Sequence, residues 1–188
     1  MQLYLTTIIS SALIFANTVA TSSYRDIGAD KDSTIVYNTD FCGDTLCAQI
    51  NHGQEPTLTA SSSSTSASRI ILGFTLPQGI KSSQIKQCQL QMQRPVQDAD
   101  GAYVLSASEV KGSWDADTVS GVTPLVPGKI VGSVDTVGGE RPAPIDVSQA
   151  CKDAKNGAFS LLVDSSGPTV IFPSMKTGAA AMLRIYTS

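Results

Sequence analysis

Histidine and tryptophan are nearly absent from this chain of 188 residues, which holds one of each, His52 and Trp114. A single imidazole leaves any serine or cysteine nucleophile one base. That base sits in the polar stretch INHGQE, and the sequence has no Gly-x-Ser-x-Gly elbow. His52 therefore reads as a surface residue, and an enzyme is not expected. A zinc site is not expected either, since there is no second histidine and the cysteines are not in close pairs of the usual kind. Charge is also thin. Thirteen Lys and Arg against sixteen Asp and Glu give a net charge of −3, with no block of like charge to hold nucleic acid. The longest apolar run, Leu3 to Phe15, is softened by Thr and Ser and falls short of the roughly 20 residues that cross a bilayer, so no membrane association is expected. No Asn-x-Ser/Thr acceptor occurs, which excludes N-linked glycans.

What is present begins with a leader. Residues 1–20 read as a secretory signal, an apolar run followed by Thr18-Val19-Ala20 with a small residue before a plausible cut, although the basic n-region is missing. Residues 21–188 then form one domain, long enough to bury roughly 70% of its unfolded surface around one core. Behind a signal, the even set Cys42, Cys47, Cys88 and Cys151 suggests disulfides. Three pairings are possible. Cys42 and Cys47 flank the short loop GDTL and Cys88 falls on a core face, which favours Cys42–Cys47 with Cys88–Cys151.

The stretch from Arg69 to Gln93 carries the clearest pattern. Ile70, Leu72, Phe74 and Leu76 fall on one face and Arg69, Gly73 and Thr75 on the other, the period of a half-buried strand. After a turn at Pro77 and Gly79, Cys88, Leu90 and Met92 share a face, and Gln87, Gln89, Gln91 and Gln93 share the opposite one of the same sheet. Further short strands are expected at Thr34–Tyr37, Pro56–Ala60, Ala102–Ala107 and Gly128–Val137, and at three places after Phe159. The serine run after Ala60 reads as a hairpin loop. Ile145, Val147, Cys151 and Ala154 recur at helical spacing, with Asp146 or Ser148 as N-cap and Gly157 as stop, predicting one helix of two to three turns with Cys151 toward the sheet. Eight or nine strands with one small helix make an all-β, antiparallel β-sandwich, most simply a jelly roll.

The succession SRIILGFTLPQG, IKQCQLQM, ASEVKGSWDADTV, PIDVSQACKDAKNGAFSLLVDSS and MLRIYTS resembles the DNRLRE-type module, the carbohydrate-binding module of the family 96 kind, over roughly Ser33 to Tyr186. The resemblance implies a jelly roll that is usually a non-catalytic part of larger surface proteins and polysaccharide-degrading enzymes. The cysteines are additions to the family pattern.

Sites of chemistry are few. Asp115 with Asp117, and Asp98 with Asp100, are carboxylate pairs at i and i+2, but turn formation accounts for them. No cofactor is expected. Calcium is the functional reading of Asp26, Asp30 and Asp32, whereas a solvated turn needs no loop spacing that the sequence lacks. For sugar, Trp114, Tyr37 and Tyr24 are the candidate platforms, Trp114 also being readable as a structural ring at the sandwich edge. The row Gln87, Gln89, Gln91, Gln93 offers amides about 7 Å apart along one face. Two functions compete. One is a structural protein of the secretory or vacuolar route that self-assembles, favoured by low charge and a pI near 5.0. The other is a secreted polysaccharide-binding protein of a wall or matrix. The poverty in exposed rings tips the sequence toward the first.

Overall fold

A computed structural model describes residues 23–62, 66–97, 101–154 and 156–188. The expected signal and the pair Asp98 and Asp100 lie outside them. The chain forms two antiparallel sheets packed face to face, the expected β-sandwich. The smaller sheet has the order β1-β13-β7-β10, from β1 (Ser23–Gly28), β13 (Met182–Thr187), β7 (Ile85–Gln91) and β10 (Ile145–Asp146). The larger has β12-β5-β6-β11-β8-β9, with β2 (Lys31–Tyr37) also paired to β6. Its other strands are β5 (Thr57–Ser62), β6 (Ala67–Thr75), β8 (Tyr103–Lys111), β9 (Val126–Thr136), β11 (Ala158–Ser166) and β12 (Val170–Pro173). A two-strand hairpin, β3 (Phe41–Cys42) with β4 (Thr45–Leu46), stands apart. Among the described residues no helix is long and apolar enough to cross a membrane.

Three expectations need correction. First, β6 and β7 do not share a sheet: they face each other across the core, so the segment around Pro77 and Gly79 changes layers. Second, β6 is buried on both faces. Ile70, Leu72 and Phe74 enter the main core with Leu90, Leu183 and Ile185 of the other sheet. Ile71, on the opposite side, is buried by Ile35, Leu162, Val110, Val119 and Trp114. A half-buried strand was the natural reading of the alternation, but the segment that follows β8 folds back as an outer cover. Third, the helix α1 (Ser148–Asp153) is shorter than the spacing predicts. Ile145 and Asp146 belong to β10, and the N-cap position falls on Val147, without a side-chain cap. Asp146 Oδ1 instead accepts from the Ser148 backbone N–H at 2.9 Å, and Ser148 Oγ accepts from Cys88 N–H at 2.9 Å, which docks the helix start on β7. The structure also adds β1, in a stretch too polar to alternate.

The favoured cysteine pairing is present: Cys42–Cys47 closes the hairpin and Cys88–Cys151 ties β7 to α1. A second tie is polar. Asp32, 1% exposed, accepts from Ser174 Oγ at 2.9 Å and from the Met175 N–H at 2.7 Å, fixing β2 to the turn before β13. Burial pushes its carboxyl above the ordinary 3.8, against these hydrogen bonds and the nearby Lys176 charge.

Two outcomes follow. The disulfide separations of 5 and 63 residues set different loop entropies, so replacing Cys88 and Cys151 by Ala should cost about 4 kcal/mol and replacing Cys42 and Cys47 about 2 kcal/mol. Urea denaturation of the two double variants measures the difference. For Asp32, a raised folded pKa means the unfolded chain releases this proton first. Its contribution is full below pH 3.8 and is lost as pH rises through the folded value. Asp32→Asn, whose amide can still accept from Met175 and donate to Ser174, should flatten that decline. Asp32→Ala should lose about 1–3 kcal/mol at every pH, because Met175 N–H and the Ser174 hydroxyl lose their acceptor.

Candidate functional site

Alternation on β7 sends Cys88 and Leu90 into the core, so Gln87, Gln89 and Gln91 stand on the outer face of the smaller sheet. The antiparallel register then decides their neighbours. Tyr186 lies opposite Gln87, Arg184 opposite Gln89 and Met182 opposite Gln91. One strand further, Tyr24 lies opposite Tyr186, Asp26 opposite Arg184 and Gly28 opposite Met182. On the far side Asp146 lies opposite Gln89. The face is therefore laid out in rows across the strands: Tyr24, Tyr186 and Gln87; Asp26, Arg184, Gln89 and Asp146; Gly28, Met182 and Gln91. Strands lie about 4.8 Å apart and same-face residues about 7 Å apart.

The charges on this face cancel. Arg184 donates from Nε and Nη2 to the two Asp26 oxygens, both at 2.7 Å, in a fork that fixes both side chains. Those hydrogen bonds hold the Asp26 carboxyl below its usual range, and the same pairing raises Arg184. The guanidinium also lies 4.6 Å from the Tyr24 ring centroid. Tyr24 and Tyr186 are 6.0 Å apart and tilted by 46°, and Tyr24 is 59% exposed. Tyr186 Oη lies 3.4 Å from Gln89 Oε1. The side-chain amides of Gln87 and Gln91 have no hydrogen bond among the described residues. Gln93 leaves the row: it lies beyond the strand and its Nε2 donates to Ala180 O at 2.9 Å.

A small concavity lies beside Tyr24, bordered by Gln78, Gly79 and Ile80, and a larger one opens at one end of the sandwich, where β6 ends and β11 begins. The larger is a cleft of about 870 Å³ bounded by α1 and the segment Glu109–Trp114. Phe74 and Phe159, which stack 5.6 Å apart and 25° from parallel at the edge of the core, border it. Asp30, Lys31, Glu109, Lys111 and Asp153 supply its charges.

Trp114 borders this cleft but is no exposed platform. It is 7% exposed, its Nε1 donates to Ser160 Oγ at 2.8 Å, and the Lys31 ammonium sits 4.2 Å from its ring while donating to its carbonyl. Gly73 makes this possible, since a Cβ there would come within 2.8 Å of Lys31 Cγ and 3.3 Å of Trp114 Cζ2. Tyr37 is half-buried beneath Arg69, whose guanidinium lies 5.1 Å from its ring and which pairs with Asp164 at 2.7 Å. Of the three candidate rings only Tyr24 is open.

The other candidates disperse. His52 is half-buried and not a free surface group: Nδ1 meets Glu55 Oε1 at 2.6 Å within its own turn, and the residue lines neither concavity. Asp115 Oδ1 accepts from the Asp117 N–H at 2.8 Å, and Asp117 Oδ1 accepts from the Gln54 amide, as turn residues do. Asp26 and Asp32 direct their oxygens to Arg184 and to the Ser174 turn, away from one another. No group of three or more metal-ligating side chains converges among the described residues.

Sequence reasoning missed Asp26, Arg184 and Tyr186 as members of the glutamine face. The signal was there in MLRIYTS, where inward Leu183 and Ile185 force Arg184 and Tyr186 outward. Phe159 is half-buried, packs against the main core and borders the cleft.

No curated protein matches the chain. A family model does: its match runs over residues 41–187, from the stapled hairpin through β13, leaving β1 and β2 outside it. With that span covering most of an antiparallel sandwich whose outer face carries tyrosine, amide and a neutralised ion pair, the chain belongs to carbohydrate-binding module family 96.

Proposed function

We propose that this protein is a secreted, non-catalytic polysaccharide-binding protein, and that it holds its ligand on the outer face of the smaller sheet. The observation that carries this reading is the juxtaposition of an open Tyr24 ring with the amides of Gln87, Gln89 and Gln91 and the fixed Asp26–Arg184 pair. A sugar ring offers an apolar C–H face and a rim of hydroxyls. Tyrosine matches the first, being apolar over its body and polar at its tip. Glutamine, which both donates and accepts, matches the second without demanding one hydroxyl orientation. The Asp26–Arg184 fork adds charge-assisted partners whose geometry is already fixed, so little side-chain entropy is lost on binding.

The two disulfides fit an oxidising, extracellular setting, with a cell wall or matrix as the natural place for such a binder. Self-assembly into a structural or storage material of the vacuolar route has less support. Both cysteine pairs close within one chain and leave no free thiol, which removes the covalent route between copies.

Sedimentation of the secreted protein with insoluble glucan, chitin and alginate tests the proposal. Retention on at least one polymer is expected. Tyr24→Ala and Gln89→Ala should each weaken it about 5- to 10-fold, near 1–1.4 kcal/mol, while Lys129→Ala on the far edge strand leaves it unchanged. Absence of retention on every polymer, or equal retention by all variants, sinks the reading.

A further inference from the structure

We infer that the cleft at the end of the sandwich is a second, separate glycan site, one that takes a short stretch of non-acidic sugar, so that a single module engages two chains or two places on one chain. This rests on the proposed polysaccharide-binding role, but it concerns a different set of residues from those of the glutamine face. A volume of about 870 Å³ lies in the range of small-molecule sites, enough for a short oligosaccharide. The half-buried Phe159, stacked on the buried Phe74, is among the residues that border the cleft and adds apolar character to it.

The lining charges select the ligand. Lys31 is committed, its ammonium held between the Trp114 carbonyl and the Trp114 ring. Asp153 Oδ2 accepts from Gln149 Nε2 at 2.7 Å and keeps its other oxygen, while Asp30 and Glu109 add two further carboxylates. Lys111 is the remaining cation. Three carboxylates, Asp30, Glu109 and Asp153, against two cations, Lys31 and Lys111, leave the cleft an excess of negative charge, which repels a polyuronate. Both kinds of group still bond sugar hydroxyls, the carboxylates as charge-assisted acceptors and Lys111 as a donor. A neutral glycan satisfies every one of them. Two sites on one rigid body also give avidity: once one chain is held on the sheet face, a second segment meets the cleft at a high effective concentration.

Trp114, the only tryptophan of the chain, borders the cleft and is absent from the glutamine face, so its emission reports on this site alone. The test titrates the secreted protein with cellotriose, laminaritriose, mannotriose and N-acetylchitotriose, and with trigalacturonate as the acidic counterpart. At least one neutral trimer should change Trp114 emission saturably. Glu109→Gln should raise its dissociation constant about 3- to 10-fold, under about 1.4 kcal/mol. Ala158→Tyr, at an exposed position on the rim, should abolish the response by filling the cleft. Tyr24→Ala should leave the response intact while it weakens polymer sedimentation. A flat emission trace with all four neutral trimers overturns the inference even if sedimentation succeeds. Tighter binding of trigalacturonate than of any neutral trimer overturns the charge argument. Loss of the response in Tyr24→Ala overturns the separation of the two sites.

Discussion

Ile70 and Ile71 are neighbours in sequence, point to opposite faces of β6 and are both fully buried, so the central strand has to be covered twice. The inner cover is the smaller sheet. The outer one is the segment from Gly112 to Leu125, which brings Trp114 and Val119 over Ile71, Ile35 and Leu162. Each of those aliphatic side chains contributes about 1.5–3 kcal/mol by leaving water, enough to hold a strand-poor segment against a sheet. Everything at the cleft descends from that requirement. Because Trp114 must lie over β6, Gly73 must lack a side chain. Because Gly73 leaves a gap, Lys31 can cross it and lock its charge on Trp114, and the cleft is left with its carboxylates in excess.

The two layers divide the work. At the centre of the larger sheet, around β2, β6 and β11, both faces are used for packing, and polar groups there pair internally, as with Arg69 on Asp164 and Tyr37. The smaller sheet has one buried face and one free, as antiparallel sheets commonly do. Its free face is where side chains can be chosen for recognition without cost to the core. A carboxylate placed there alone would impose a charge on every ligand, whereas Asp26 closed on Arg184 offers hydrogen-bonding atoms and no net charge.

Period-2 alternation made much of this legible. Gln87 to Gln91 are outward because Cys88 and Leu90 are inward, and the sequence says so without a structure. The cysteine pairing was legible for a related reason, since a core-facing Cys88 needs a core-facing partner and the helix pattern supplied Cys151. What could not be read was which sheet each strand joined. β6 and β7 carry equally good patterns, and nothing in Pro77 to Gln84 distinguishes a hairpin from a change of layer. β1 was invisible because an edge strand with an exposed face has no apolar period to detect. Trp114 was legible as either core or platform, and only the fold-back of its segment decides for the core. The cleft was wholly hidden, for its walls come from β6, β8, β11 and α1, which no local pattern brings together.

The Cys88–Cys151 link gives the module a property that neither site has alone. Cys88 lies on the buried side of β7, so its bond to Cys151 holds the strand in the register that turns the glutamines outward. The same bond seats α1, whose Ala150, Asp153 and Ala154 form one wall of the cleft. A helix of six residues has little stability of its own and depends on such anchoring. Severing the link would therefore disturb the cleft first, because β7 retains its whole ladder to β13 while α1 is left held at its start alone, by the Ser148 contact and the Val147 N–H bond to the Cys88 carbonyl, and by its apolar seat. An oxidising environment is thus a condition for the shape of the cleft more than for that of the glutamine face.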